Sequence, residues 1–156
     1  MIKQIKLISD SGEINRVYEF LKSYPLNYPQ FELWLDKCKR ELEIGYKKGF
    51  FAKDEKGLII ACAIFQADKE DGKILELKNL RVASEYSDLG IGSSICSIVE
   101  TYALEEGYQR LRCDAHADNP IIGFMESQGF KVEAEEYLYS KSILEKIMVK
   151  ELNTRY

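Results

Sequence analysis

The chain has 156 residues, 46% hydrophobic and 31% charged, with a formal charge of -4 at pH 7. That length suits one domain with a full core, so a single domain over residues 1–156 is expected. The acidic balance argues against a nucleic-acid binder, which needs a basic face, and no apolar run is long enough for a membrane span.

The first ten residues, MIKQIKLISD, break their apolar positions with Lys3, Gln4 and Lys6. They lack a secretory layout, and the cytoplasm is the expected compartment. Residues 2–8 suit a strand. Asp10 and Glu13 form a capping-box pattern, and Ile14, Val17, Tyr18 and Leu21 follow at helical spacing. Two prolines and an asparagine within residues 23–29 predict a loop. Phe31, Trp34, Leu35, Cys38 and Leu42 form a second helical stripe, with Gly45 just beyond it.

The middle reads as strands. Residues 49–53 lead through the turn 54–57 into residues 58–65, which are apolar on both faces and so predict a central strand. A second Asp/Gly turn at 68–72 leads into residues 73–82, and short turns of this kind join antiparallel strands. Ile91, Ile95, Ile98, Val99 and Tyr102 share a helical face that Gly107 ends. Residues 110–115 are a short strand, so strand, helix and strand predict a crossover with a local parallel pair. Asn119 and Pro120 open a helix that ends at Gly129, and strands at 130–139 and 143–152 close the chain. The fold class that follows is α/β (α+β): a mixed, mostly antiparallel sheet of six to seven strands with helices on both faces.

Cys38, Cys62, Cys96 and Cys113 form no CxxC pair, and His116 is the only histidine. Reduced thiols and no metal site are expected. Cys113 and His116 lie three apart on a strand and would point to opposite faces, which argues against a nucleophile and base.

The stretch YSDLGIGSSI, residues 86–95, joins a strand to a helix. A Walker loop would need GK[ST], which is missing. A dinucleotide fingerprint would need a small residue where Ile95 stands, and it belongs to a first βα unit. Glycines at a helix start also let a backbone approach phosphates, aided by the helix dipole. Asp88 adds charge of the wrong sign and is expected to face solvent.

The segment Ser87-Asp88-Leu89-Gly90-Ile91-Gly92 resembles the acyl-CoA-binding motif, Gln/Arg-x-x-Gly-x-Gly/Ala, of the GCN5-related N-acetyltransferase (GNAT) superfamily. The run from Leu80 to Tyr86 and the Asn119 helix with Gly129-Phe130 are similar to that family's fourth strand and last conserved helix. The resemblance implies acetyl-CoA as co-substrate, held by Leu80, Arg81, Val82, Ser87, Asp88, Leu89, Gly90, Ile91, Gly92 and Ser93, with Asn119 as a further contact or simply a helix cap. It implies Glu76 as the base, with a solvated strand glutamate paired to a neighbouring lysine as the alternative. The backbone amide of Leu80 would be the oxyanion donor.

Tyr24, Tyr28 and Tyr137 would line the acceptor side, where aromatic rings can hold an amine. Trp34 fits the core better. The family's tyrosine before the final Gly-Phe is replaced here by Met125, so the group that protonates the leaving thiolate is left open. The expected activity is transfer of acetyl from acetyl-CoA to a primary amine of a small molecule or peptide, by direct attack in a ternary complex. A weakly catalytic or inactive acyl-CoA-binding module is the alternative, and a scaffold subunit without cofactor is a third. No nucleic-acid or membrane partner is expected, and a homodimer is left open.

Overall fold

The computed structural model describes residues 2–26 and 29–152. The elements run β1 (Ile2–Leu7), α1 (Ser11–Ser23), α2 (Phe31–Glu43), β2 (Lys48–Asp54), β3 (Ile59–Ala67), β4 (Ile74–Val82), α3 (Ile91–Glu105), β5 (Arg110–His116), α4 (Ile121–Ser127), β6 (Lys131–Glu136) and β7 (Glu145–Glu151). The seven strands form one mixed sheet in the order β1-β2-β3-β4-β5-β7-β6. β1/β2, β2/β3, β5/β7 and β6/β7 are antiparallel, whereas β4 and β5 are parallel, as a crossover through α3 requires.

The chain divides into two compact units. One holds the chain up to Gln66 together with Asn79–Val99, and the other holds Ala67–Lys78 and the chain from Glu100 onward.

In the first unit, the helical stripes read from the sequence become the core. Ile14, Val17, Phe20 and Leu21 of α1 meet Phe31, Leu35, Cys38 and Leu42 of α2, packed with Phe51, Cys62, Ile64 and Ala83. Each fully buried aliphatic side chain here stabilises by about 1.5–3 kcal/mol. Trp34 packs against this cluster and stacks on Phe31 with centroids 5.7 Å apart. Asp10 caps α1 by accepting from the Glu13 amide at 2.8 Å. Glu13 reaches one residue further back than a standard capping box, to the amide and hydroxyl of Ser9, both at 2.8 Å. Leu58 is not part of the central strand: it is 60% exposed, and β3 begins at Ile59.

In the second unit, Leu75, Leu111, Met125, Phe130 and Met148 are buried. Lys150 ties the end of α4 to α3, with Nζ 2.7 Å from the Gln128 carbonyl and 2.6 Å from Glu100 Oε2. β6 ends at Glu136, short of the expected Tyr139. β7, not β6, pairs with β5, which leaves β6 at the edge. Its exposed Lys131, Glu133, Glu135 and Glu136 suit that place, since charge discourages further strand addition.

Candidate functional site

The glycine-containing loop lies in the first unit, where β4 leads into α3. The Ala83 amide donates to the Ile60 carbonyl at 2.8 Å, and a single 3-10 turn, Ser84–Tyr86, follows. Two long-range bonds pin this turn. Tyr24 Oη donates to Glu85 Oε2 at 2.5 Å, and Tyr86 Oη donates to Asp54 Oδ2 at 3.0 Å. Those carboxylates push both phenols above their usual pKa. Arg81 Nε donates to the Tyr24 carbonyl at 2.9 Å, so its guanidinium is anchored at the end of α1.

Ser87 Oγ donates to the Ser84 carbonyl at 2.6 Å and closes the turn. Asp88 is exposed and left-handed at φ 61, and Gly90 has φ 80. The backbone therefore reverses twice within three residues, which explains the glycine at 90. Ser94 is the first residue to donate within α3, its amide lying 3.0 Å from the Gly90 carbonyl. The amides of Gly90, Ile91 and Gly92 precede it, at the end of a 15-residue helix where the dipole favours an anion. A pyrophosphate fits such a cradle because recognition needs backbone donors and no cationic side chain. Leu80 and Val82 are half-buried, and Leu89 is exposed.

Glu76 lies in the second unit, on the portion of β4 paired with β5, where its register partner is Arg112. Its carboxylate is bound on both sides: Arg112 Nη2 is 2.9 Å from Oε1, and Lys78 Nζ is 3.4 Å from Oε2. Arg112 also contacts Asp68. Burial pushes the Glu76 carboxyl up and a hydrogen bond with Asp68 adds to that, while Lys78 and Arg112 oppose. The same bond from Glu76 holds Asp68 well below the usual carboxylate range.

Asn79 is 3% exposed, and neither its Oδ1 nor its Nδ2 has a partner among the described residues. Asn119 Oδ1 accepts from the Ile121 amide at 2.9 Å. Its side chain therefore caps a helix that begins two residues later, with Pro120 in the capping position itself. Met125 is buried at 2% exposure and belongs to the core. Tyr137 is 61% exposed in the segment between β6 and β7. Tyr28 lies outside the described residues. The structure thus gathers Tyr24, Arg81 and the loop 84–93 in one unit, and places Glu76, Asn119 and Tyr137 in the other.

One arrangement was not foreseen. His116, at the end of β5, faces Glu145, at the start of β7, with Nε2 3.0 Å from Oε1. Glu145 is 2% exposed, and burial pushes its carboxyl up while His116 draws it back. Two residues earlier, Asp114 accepts from Tyr139 Oη at 2.9 and 3.1 Å. Little in the sequence marked it, since Glu145 opens a strand that also carries Lys146, Lys150 and Glu151. Among the described residues, no three His, Cys, Asp or Glu side chains stand grouped as metal ligands, and no helix is long and apolar enough to cross a membrane.

The chain belongs to the acetyltransferase (GNAT) family, whose model matches residues 14–130. Solved structures share the fold across nearly its whole length. A GNAT-family protein from Desulfovibrio desulfuricans superposes with a TM-score of 0.82 at 16% identity, covering 96% of this chain and 100% of that one. The ribosomal-protein-S18-alanine N-acetyltransferase of Escherichia coli gives 0.76 at 17% identity, covering 98% and 97%. A spermidine N-acetyltransferase chimera with a Vibrio cholerae parent gives 0.72 at 14% identity, covering 96% of both. At these identities the likeness is one of fold. No curated protein sequence matches the chain significantly.

Proposed function

We propose that this chain is an acetyl-CoA-dependent N-acetyltransferase, acting as one domain on a primary amine of a small molecule or peptide by direct attack in a ternary complex. The observation that carries the reading is the start of α3, where Gly90, Ile91 and Gly92 amides precede the first intrahelical bond behind a glycine at φ 80. Those amides would hold the coenzyme's pyrophosphate, with the Leu80, Arg81 and Val82 backbone and the loop residues Ser87, Asp88, Leu89 and Ser93 lining its path and Asn119 a further contact. Acetyl-CoA supplies the acyl group as a thioester.

An alkyl ammonium costs about 4.6 kcal/mol to deprotonate at pH 7, so a nearby base is valuable. Glu76 is the proposed proton acceptor. Its carboxyl is raised toward neutrality by burial, which brings a carboxylate closer to the strength that task needs. The Leu80 amide would donate to the oxygen on which charge develops. The acceptor amine forms its bond to the carbonyl carbon, the carbon–sulfur bond breaks, and the thiolate leaves. Tyr24, Tyr28 and Tyr137 are the proposed acceptor contacts. The cytoplasm is the proposed compartment.

The salt bridges on both Glu76 oxygens favour a second reading, in which Glu76 is structural and the chain binds acyl-CoA without fast turnover. Thermal unfolding with and without acetyl-CoA, followed by thiol release over a panel of amines, separates the two. The first reading expects a coenzyme-selective rise in Tm and turnover with at least one amine. Glu76→Gln should then lower kcat about 100-fold at pH 7 and leave the Tm shift intact. Full activity of that variant from pH 6 to 9 would remove Glu76 from the mechanism.

A further inference from the structure

We propose that the side chain of Arg81 binds a carboxylate on the acceptor, so that the preferred substrate is an amino acid or another amine bearing a carboxylate, an inference that rests on the acyltransferase reading above. Arg81 is half-buried on β4, and its Nε donates to the Tyr24 carbonyl at 2.9 Å. Neither Nη has a hydrogen-bond partner among the described residues, and none of their carboxylates pairs with the guanidinium. The other described arginines are placed differently. Arg16 and Arg40 are exposed, Arg110 is bound to Glu151, and Arg112 is bound to Glu76 and Asp68. Glu85 is the acid nearest to Arg81 along the chain, and both of its oxygens are taken. Oε1 accepts from Ser84 Oγ at 2.8 Å, and Oε2 accepts from Tyr24 Oη at 2.5 Å. An arginine stays charged, and drawing one partly out of water without an anion is costly. The charge is left for an anion that a ligand brings.

The anchor of this side chain is firm. Tyr24 is the C-cap of α1, its ring meets Phe20 with centroids 5.1 Å apart, and its hydroxyl holds Glu85. Capping the helix end accounts for Nε and leaves the two Nη groups over. Their N–H bonds at the free end of the fork match the two oxygens of a carboxylate. A guanidinium already held in place loses little further freedom when it binds.

The same short stretch of β4 carries a second unsatisfied polar side chain, the buried amide of Asn79. Its Cα lies within about 7 Å of that of Arg81, because two residues of chain span no more. Leu80, whose amide is the proposed donor to the acyl oxygen, stands between them in the chain. All three belong to the first unit, together with Tyr24 and the loop 84–93. An arginine side chain is short enough to keep Nη within roughly 10 Å of the neighbouring Leu80 amide. An acceptor whose amine and carboxylate are a few carbons apart spans that distance. The coenzyme phosphates have the backbone donors of Gly90, Ile91 and Gly92, whereas the Arg81 guanidinium is drawn to the end of α1. The acceptor is therefore the source of the anion.

The test follows thiol release by the full chain with acetyl-CoA. The acceptors are free alanine, free lysine and the straight-chain amino acids from 3-aminopropanoate to 6-aminohexanoate, each beside its carboxamide, with spermidine as an amine that has no carboxylate. For at least one acid the native kcat/KM should exceed that of the carboxamide about 30-fold, the difference lying in KM. In Arg81→Gln that ratio should fall to about one. Arg81→Lys, which keeps the charge but not the fork, should restore part of it. The proposal is overturned if the native protein uses acids and carboxamides equally, if it favours carboxamides or spermidine, or if Arg81→Gln keeps the native ratio. Loss of the acetyl-CoA-induced Tm shift in Arg81→Gln with that ratio unchanged overturns it too, and assigns the guanidinium to a coenzyme phosphate. The native ratio needs no variant, so it decides the matter should Arg81→Gln fail to fold. If the native protein turns over no acceptor of the panel, the acyltransferase reading falls and this proposal falls with it. Turnover of carboxamides or spermidine without a preference for acids sinks the proposal alone.

Discussion

Replacing Asn79 with leucine should make the protein more stable, although the residue is almost wholly buried. The side chain is 3% exposed, and both its amide oxygen and its amide nitrogen lack partners among the described residues. An orphaned buried polar atom costs about 1–3 kcal/mol, and this residue carries two. Leucine has nearly the same size and removes both penalties while adding apolar burial. Imperfect fit of the branched side chain returns part of the gain, and a net increase of about 2 kcal/mol is expected. With a urea m value of about 2 kcal/mol/M, the unfolding midpoint should rise by about 1 M at unchanged m. A midpoint that stays or falls would falsify the reasoning and show that the amide binds something in the folded protein, such as an interior water. A stable variant whose Tm no longer responds to acetyl-CoA would place that partner in the ligand instead.

The helix start offers two opposed substitutions. Gly92→Val should abolish the acetyl-CoA-induced Tm shift with the fold retained by circular dichroism, because a branched side chain stands where phosphate must approach the backbone. Asp88→Gly should lower the coenzyme Kd about threefold at low ionic strength, since it removes a carboxylate beside a helix N-terminus. It also relieves about 1 kcal/mol of strain at φ 61, and a weakened Kd by calorimetry would contradict the assignment. Acid stability should depend on Glu13. Burial alone would raise its carboxyl, but bonds from Lys6 and Ser9 outweigh it and bring the pKa down from 4.5 to about 2. A lowered folded pKa stabilises above the unfolded value, so this contribution is present above pH 4.5 and is lost as pH falls toward 2. Glu13→Gln should therefore show a shallower loss of Tm across that window, and parallel curves would discount the ion pair.

Much of the fold was legible because its signals are local. The α1 and α2 stripes, the Asp10 cap and the Gly45 and Gly107 stops each depend on residues within a turn of one another. The parallel pairing of β4 with β5 was legible too, since a helix between two strands leaves few alternatives. The order β5-β7-β6 was not, because a hairpin can dock by either strand and local pattern does not say which. The same limit applies at the candidate sites. Lys78 beside Glu76 could be read from alternation, but Arg112 and Asp68 reach Glu76 only through the sheet. His116 was weighed against Cys113, three residues away, while its true neighbour Glu145 is 29 residues on. The 3-10 turn at Ser84–Tyr86 was also missed, for it is fixed by Tyr24 and Asp54, distant in the chain.

Asp54 has a wider reach than its place in a hairpin turn suggests. Its Oδ1 accepts from the Lys56 and Leu58 amides, both at 2.9 Å, while its Oδ2 accepts from Tyr86. One carboxylate therefore closes the β2–β3 connection and clamps the segment just ahead of the glycines. Local opening of the hairpin releases the Tyr86 bond, and steadying of Tyr86 restrains the hairpin, because coupling between two parts of a protein is reciprocal. The Lys56 and Leu58 amides thereby become a remote gauge of the loop. Their rates of hydrogen exchange with solvent should slow whenever a ligand settles on the start of α3, with no group of that ligand touching them.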